Sequence, residues 1–394
     1  MRSVAIVGAS LAGARALQEL RGQGFDGEVV LIGEEPHRPY DRPPLSKEFL
    51  AGAIDRDALD LLDTEDDLGV TYRLGVRAER LDPANGRLTL SDGGEVFADG
   101  VVIATGGRAR TLPGAEGVAG VHVLRTLDDA LRLRAELSGS PRVVVAGAGF
   151  VGAEVASTCR GLGLEVTVLE ALDAPLSRVF GPELGAVCAR LHAEHGTRLR
   201  CRSVVSGLTT VDDGPRGRRV TGIDLADGGH LPADVVVVGI GMSPAADWLI
   251  GSGLTVGNGV HTDRGLVTEL SNVVAIGDVA RYAGERGDRL RHEHWTNATE
   301  QAGVAVTNLL AGRTVRGHTA SGYVWSDQYG GRIQVAGHPA PGDRLVLVEG
   351  TTEDSSFAAT FERDGGTVGV FALNNAKLFN RLRRQALRPP APVA

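Results

Sequence analysis

"RVVVAGAGFVGAEVASTCRGLGLEVTVLE", residues 142–170, is the stretch that decides the fold. Its first residues form a short apolar run of the kind that suits a parallel strand buried on both faces. Gly147, Gly149 and Gly152 follow with GxGxxG spacing and open a helical segment. A second apolar run, "EVTVL", is closed directly by Glu170. Strand, glycine turn, helix, strand and acid together make the dinucleotide-binding arrangement. The glycines permit a tight turn and close approach of a pyrophosphate to the helix N-terminus, and the acid meets ribose hydroxyls.

The same pattern occurs earlier. In residues 4–33, "VAIV" is a strand, "GASLAG" the turn, and Ala14, Ala16, Leu17 and Leu20 the stripe of a helix. "EVVLIG" is then the second strand, with Glu34 directly after it. Ser10 stands where the middle glycine usually sits. Two such units in one chain predict two dinucleotide sites. Each half also closes on a strand and glycine turn, "VVIATGG" at 101–107 and "VVVVGIGMSP" at 235–244. A third such segment, "NVVAIGDVA" at 272–280, places Asp278 at a strand end.

The predicted class is therefore α/β, with two Rossmann-like domains, the second inserted in the first. Residues 1–107 and 236–315 form the first domain and 108–235 the second, within which "VDDGPRGRRVTG" reads as a hairpin tip. From residue 316 the chain alternates apolar and polar residues between turn signals. This predicts a C-terminal α+β domain at 316–394, with an antiparallel sheet and a short helix in "NAKLFNRLRRQAL".

Composition narrows the function. A net charge of −8 with only 4% aromatic residues argues against a nucleic-acid binder, which needs a basic face. No apolar run approaches the length of a membrane span and no signal-peptide pattern opens the chain, so a cytoplasmic location is expected. Cys159, Cys188 and Cys201 are far apart, with neither CxxC nor metal-ligand spacing, so no metal site is expected.

The loop "PHRPYDRPPLSKEFL", residues 36–50, sets adjacent prolines beside Asp41, Arg42, Ser46 and Lys47. Such a segment is stiff and cannot continue a helix or central strand. With this loop, both glycine turns, "ATGG", "AIGDV" and "EHWTNATEQA", the chain resembles the FAD-dependent pyridine nucleotide-disulfide oxidoreductase superfamily, in particular the ferredoxin reductases of oxygenase systems. The resemblance implies an FAD domain, an NAD domain and a C-terminal interface domain. It also implies NADH as donor and a small [2Fe–2S] or similar ferredoxin as acceptor, which supplies a monooxygenase or dioxygenase.

Residue by residue, the resemblance sets Gly8, Ser10, Leu11, Ala12, Gly13 and Glu34 at FAD, joined by Val76, Ala104, Thr105, Gly106 and Gly277. Arg42 and Pro43 lie against the cofactor, Lys47 near the reactive edge of the flavin, and Glu154 pairs with that lysine. Asp278 bonds the ribityl chain, and Glu293, His294 and Trp295 begin a helix aimed at the flavin. Trp325 packs near the flavin ring or belongs to the interface core. For the nicotinamide dinucleotide the resemblance implies Gly147, Gly149, Phe150, Val151, Gly152 and Glu170, with Gly239, Ile240 and Gly241. Glu170 repels a 2′-phosphate and favours NADH, although Arg178 lies downstream within reach. A unit positive charge about 5 Å from an anionic reduced ring is worth roughly 3 kcal/mol at an effective dielectric of 20. For a two-electron couple this equals about 65 mV.

Relatives that reduce disulfides or peroxides need a cysteine near the flavin, and "EEPHRPYDRPPLSKEFL" has none. The alternatives that remain are an NADH oxidase or quinone reductase, and a non-catalytic signalling flavoprotein. An acidic ferredoxin needs a basic docking face. Arg281, Arg286, Arg289 and Arg291 form one candidate, and Lys377, Arg381, Arg383, Arg384 and Arg388 another, with the first cluster preferred.

Overall fold

A computed structural model describes residues 1–62, 68–284, 287–340 and 342–386. Its helices are α1 (Leu11–Gly22), α2 (Leu127–Glu136), α3 (Phe150–Gly161), α4 (Ser177–Glu194), α5 (Trp295–Ala311) and α6 (Ala376–Ala386). The chain divides into two compact units, between which it passes more than once.

The first unit comprises Met1–Asp41, Asp57–Arg108 and Ser243–Gly322. Its sheet orders the strands Val273–Ala275, Gly100–Ile103, Ser3–Val7, Glu28–Gly33 and Val70–Leu74, all parallel. Successive side chains of a strand point to opposite faces. Val4 and Ile6 accordingly pack with Leu17 and Leu20 of α1 and Val306 and Leu309 of α5. Ala5 and Val7 pack on the other side with Leu81, Leu88 and Leu90 of a small antiparallel sheet. Fully burying each such leucine stabilises the unit by roughly 1.5–3 kcal/mol before entropy is counted.

The second unit comprises Arg42–Arg56, Ala109–Met242 and the chain from Tyr323 onward. Its parallel sheet repeats the arrangement, in the order Val121–Val123, Val235–Val238, Arg142–Ala146, Glu165–Leu169 and Arg198–Arg200. Val143 and Val145 face Leu133 of α2 and Val155 and Cys159 of α3. Val144 and Val236 face Val220, Ile223 and Leu225. These last residues lie on the hairpin Val205–Asp212/Arg218–Leu225, whose tip holds the expected turn. A five-stranded antiparallel sheet follows, ordered Val324–Gln328, Gly331–Gly337, Gly366–Leu373, Phe357–Arg363 and Arg344–Glu349. Phe371 turns to Phe180 and Leu184 of α4, while its neighbours Val370 and Ala372 turn to Leu378 and Phe379 of α6.

The expected boundary between residues 235 and 236 is corrected. Val235–Val238 bonds in register to Arg142–Ala146, so the whole strand belongs to the second sheet and its unit runs to Met242. The proline loop from Arg42 to Arg56 also groups with the second unit, not the first. Residues 316–322 group with the first unit, and the C-terminal sheet groups with the second.

Candidate functional site

Both glycine turns are built alike. Gly8 has φ +122°, and a Cβ there would sit 2.1 Å from the Ala104 carbonyl oxygen. A Cβ on Gly13 would sit 1.9 Å from the Gly8 oxygen. In the second unit Gly147 has φ +105°, and its Cβ would lie 2.3 Å from the Gly239 oxygen. A Cβ on Gly152 would lie 2.0 Å from the Gly147 oxygen. Strand crossing, turn and helix start are thus in backbone contact, which only glycine permits. The middle position differs: a Cβ on Gly149 would meet nothing within 4 Å, so open space lies over that turn. Neither Ser10 nor Gly149, the N-cap residues of α1 and α3, supplies a side-chain cap. The helix starts therefore present backbone N–H groups with a positive dipole end to an anion. These features fit two pyrophosphates. Leu11 and Ala12 form the first turn of α1, and Phe150 and Val151 that of α3. Val76 donates its N–H to the Gly33 carbonyl, at the end of the strand that precedes Glu34.

The two acids are placed differently. Glu170 Oε2 accepts from Ala148 N (3.1 Å), inside the glycine turn, and Oε1 accepts from Leu172 N (2.9 Å). A carboxylate has about four lone-pair sites, so acceptor capacity remains for ribose hydroxyls. Glu34 is more exposed and lies 3.5 Å from the Arg77 guanidinium and 3.9 Å from that of Arg108. Arg178 is exposed in the first turn of α4, ahead of the break at Gly181 and Pro182. Thr105 Oγ1 donates to the Ala245 carbonyl (2.7 Å), and Gly106 O accepts from Ala245 N, which fixes the crossing after Ala104. Ile240 and Gly241 continue the matching crossing of the second unit, with Gly241 at φ +96°.

The proline loop turns through a short 3₁₀ helix, Pro43–Ser46, with proline in its first positions, where no backbone donor is lost. Arg42 donates to the Arg125 carbonyl. A capping box of Thr126 and Asp129 starts α2 directly after that carbonyl. Lys47 Nζ donates to Pro43 O (2.8 Å) and to Glu154 Oε2 (2.7 Å). Ser46 Oγ also donates to Glu154 Oε2 (2.6 Å), and Ser326 Oγ donates to Oε1 (2.7 Å). The pair is largely withdrawn from water, with side-chain exposures of 13% for Lys47 and 7% for Glu154. Removing one partner of so buried a pair leaves an uncompensated charge and costs about 3–5 kcal/mol.

Two serines thus complete a site that the sequence reading assigned to Lys47 and Glu154 alone. A signal for one of them was present: alternation sets Ser326 and Gln328 on one face of a strand, and both are buried. Two polar residues on a buried face ask for a polar partner.

In the first unit, Gly277 and Asp278 lie in a 3₁₀ turn after the strand Val273–Ala275, and Gly277 N donates to Gln301 Oε1 (2.7 Å). His294 is the N-cap of α5, and Trp295, its first residue, donates its indole N–H to Asp41 Oδ1 (2.8 Å). Glu293 pairs with Arg291 (2.7 Å). Arg291 also donates to the Asp278 carbonyl (3.2 Å) and keeps only 12% of its side chain exposed, so it ties local structure together. Arg289 is exposed, Arg281 half-buried, and Arg286 lies outside the described residues. In the second unit, Trp325 stacks on Tyr323, with centroids 5.8 Å apart. The Arg383 guanidinium lies 4.6 Å from the Tyr323 ring centre. Lys377, Arg381 and Arg384 share α6 with Arg383, and Arg388 lies outside the described residues.

Burial disfavours the thiolate form of the cysteines. Burial pushes the Cys159 and Cys188 thiols up to about 12, and burial also raises Cys201. All three are free. Among the described residues no helix is long and apolar enough to cross a membrane.

Residues 2–302 match the family model described as pyridine nucleotide-disulphide oxidoreductase, and residues 323–389 match the one described as reductase C-terminal. The chain is 38% identical to the ferredoxin reductase subunit of 5,5'-dehydrodivanillate O-demethylase from Sphingobium, an alignment covering 94% of this chain and 90% of that one. It is 36% identical to rhodocoxin reductase of Rhodococcus erythropolis, over 95% and 87% of the two chains. With putidaredoxin reductase of Pseudomonas putida the identity is 33%, over 99% and 93%. Among solved structures it matches the covalent putidaredoxin reductase–putidaredoxin complex with a TM-score of 0.91 and 32% identity, covering 97% of this chain and 92% of that one.

Proposed function

The chain belongs to the pyridine nucleotide-disulphide oxidoreductase family, and from that premise we propose that it is an NADH-dependent ferredoxin reductase serving an oxygenase. The observation that carries the reading is the doubled glycine turn, with the buried Lys47–Glu154 pair seated on the helix that follows the second turn. FAD, when bound, would supply hydride acceptance from a reduced nicotinamide and one-electron release, chemistry that belongs to the cofactor itself.

This chain's residues bind, orient and tune. Gly8–Gly13 and the start of α1 would hold the FAD pyrophosphate, with Glu34 toward its ribose and Asp278 toward its ribityl chain. Gly147–Gly152 and the start of α3 would hold the pyrophosphate of NADH, and Glu170 its adenosine ribose. The anionic Glu170 disfavours the extra phosphate of NADPH. Lys47 would set a fixed positive charge at the flavin edge, held by Glu154, and needs no proton transfer of its own. Trp295 and the uncapped start of α5 would face the ring. The first unit is thus assigned to FAD and residues 109–242 to NADH. A ferredoxin is the acceptor, docked through Arg281 and Arg289, in a cytoplasmic setting.

Stopped-flow reduction with NADH and, separately, NADPH, followed by addition of candidate [2Fe–2S] ferredoxins, tests the reading. Fast bleaching by NADH and rapid reoxidation by one ferredoxin are expected. Bleaching with no ferredoxin able to reoxidise the flavin refutes the acceptor and points to an oxidase or quinone reductase.

A further inference from the structure

We propose that Ser326 is a positioning residue for the Lys47 ammonium, acting through Glu154. The inference rests on the reading that Lys47 stands beside the flavin, and its test separates the two. The terminal torsion of a glutamate is broad, so a carboxylate held by one oxygen alone swings easily. Here both oxygens are held: Oε2 by Lys47 and Ser46, Oε1 by Ser326. The direction of the Ser326 bond is set from behind. Gln328 Nε2 donates to Ser326 Oγ (3.0 Å), so the serine's own proton goes to Glu154.

Ser326 and Gln328 are 0% and 1% exposed, on one face of the strand Val324–Gln328. Buried hydroxyl and amide groups are costly unless bonded, and the Glu154 carboxylate is what this pair serves. The strand is fastened to α3 a second time, where Tyr329 N donates to Ser157 Oγ (2.7 Å), one turn beyond Glu154. The C-terminal sheet therefore reaches the lysine through a run of hydrogen bonds, from Gln328 to Ser326 to Glu154, where Lys47 donates from the other side.

The experiment measures two quantities in wild type, Ser326→Ala, Lys47→Met and the double variant. One is the flavin midpoint potential by dye equilibration, and the other, in the variants that keep Lys47, is the labelling rate of that lysine by an amine reagent, read by peptide mass spectrometry. Removing the Ser326 hydroxyl is expected to weaken flavin reduction about tenfold, a fall of about 30 mV for two electrons, and to speed Lys47 labelling. The fall should vanish in the Lys47→Met background, because non-additivity marks action through the lysine. Ser326→Thr, which keeps the hydroxyl, should restore both readouts. Should Ser326→Ala lose its flavin, Ser326→Cys, with only a weak S–H donor, carries the same comparison. A wild-type potential and labelling rate in Ser326→Ala, or an equal fall with Lys47→Met present, overturns the proposal. A Lys47→Met protein with the wild-type potential overturns instead the reading of Lys47 itself.

Discussion

Glu170 and Gly152 show how single residues divide the work of the second glycine turn. Glu170 is held by backbone N–H groups of the turn and of Leu172, so its charge stands where an adenosine ribose is expected. Replacing it with alanine removes both the ribose partner and the repulsion of a 2′-phosphate. Glu170→Ala should move the NADPH-to-NADH ratio of kcat/KM about 10–100-fold toward NADPH. An unchanged ratio would place the choice of nucleotide elsewhere, with Arg178 the next residue to test. Gly152 acts through space alone: its Cβ would lie 2.0 Å from the Gly147 oxygen, so any side chain pushes α3 off its strand. An overpacking cost of about 1–3 kcal/mol predicts an NADH KM raised roughly 5–150-fold in Gly152→Ala. Flavin content should stay normal, since FAD is assigned to the other turn. Loss of flavin in that variant would contradict the assignment of the two turns.

At the scale of the element, α3 is the organising rod of the second unit. Glu154, Ser157 and Thr158 lie within two turns, on neighbouring positions of its surface. They bind, in order, Lys47 with two serines, the Tyr329 amide, and the Ser46 carbonyl (2.7 Å). The helix that opens on the second glycine turn thus also grips the proline loop and the C-terminal strand. A second element, α4, holds that sheet by a buried polar cluster. His192 Nδ1 and Thr197 Oγ1 both bond the Tyr329 hydroxyl, at 2.7 and 2.9 Å. Burial pushes the His192 imidazole down from 6.5 to about 4 and the Tyr329 hydroxyl up to about 12. The native state therefore holds His192 neutral, whereas the unfolded chain takes up a proton below pH 6.5. The contribution to stability is complete above that pH and is lost as pH falls from about 6.5 toward 4. The loss should reach roughly 2–3 kcal/mol. Urea melts at pH 7.5 and 4.5 should show a larger acid loss in wild type than in His192→Gln. Equal losses would mean that another group governs the acid limb.

For the molecule as a whole, charge is the quantity that matters. A chain of net charge −8 repels an acidic ferredoxin unless a local basic face overcomes the general field. Arg281 and Arg289 are the described members of the preferred cluster that retain exposure, since Arg291 is tied to Glu293 and the Asp278 carbonyl. Arg281→Gln with Arg289→Gln should raise the KM for ferredoxin about tenfold at low salt and leave ferricyanide reduction unchanged. The difference from wild type should shrink at 0.5 M salt, where screening acts within a few ångströms. Equal loss with both acceptors would remove this face from docking and leave α6 as the candidate.

How much of this was legible without a structure follows from the range of each signal. The two glycine turns, the acids at strand ends, the hairpin at residues 205–225 and the helix α6 all announce themselves within a few residues. They rest on strand alternation, helical periodicity and the steric freedom of glycine, which are properties of adjacent positions. Pairing between distant strands carries no such local mark. Val235–Val238 reads equally well as the end of one domain or the start of the next until its bonds to Arg142–Ala146 are seen. Ser46 lies 108 residues from Glu154, and Ser326 lies 172 residues from it. A hydroxyl has no periodicity that names its partner. The sequence by itself determined the two glycine turns and the residue types of the Lys47–Glu154 pair. Only the tertiary structure decided which distant hydroxyls hold that pair in place, because a hydrogen bond is satisfied by proximity in space.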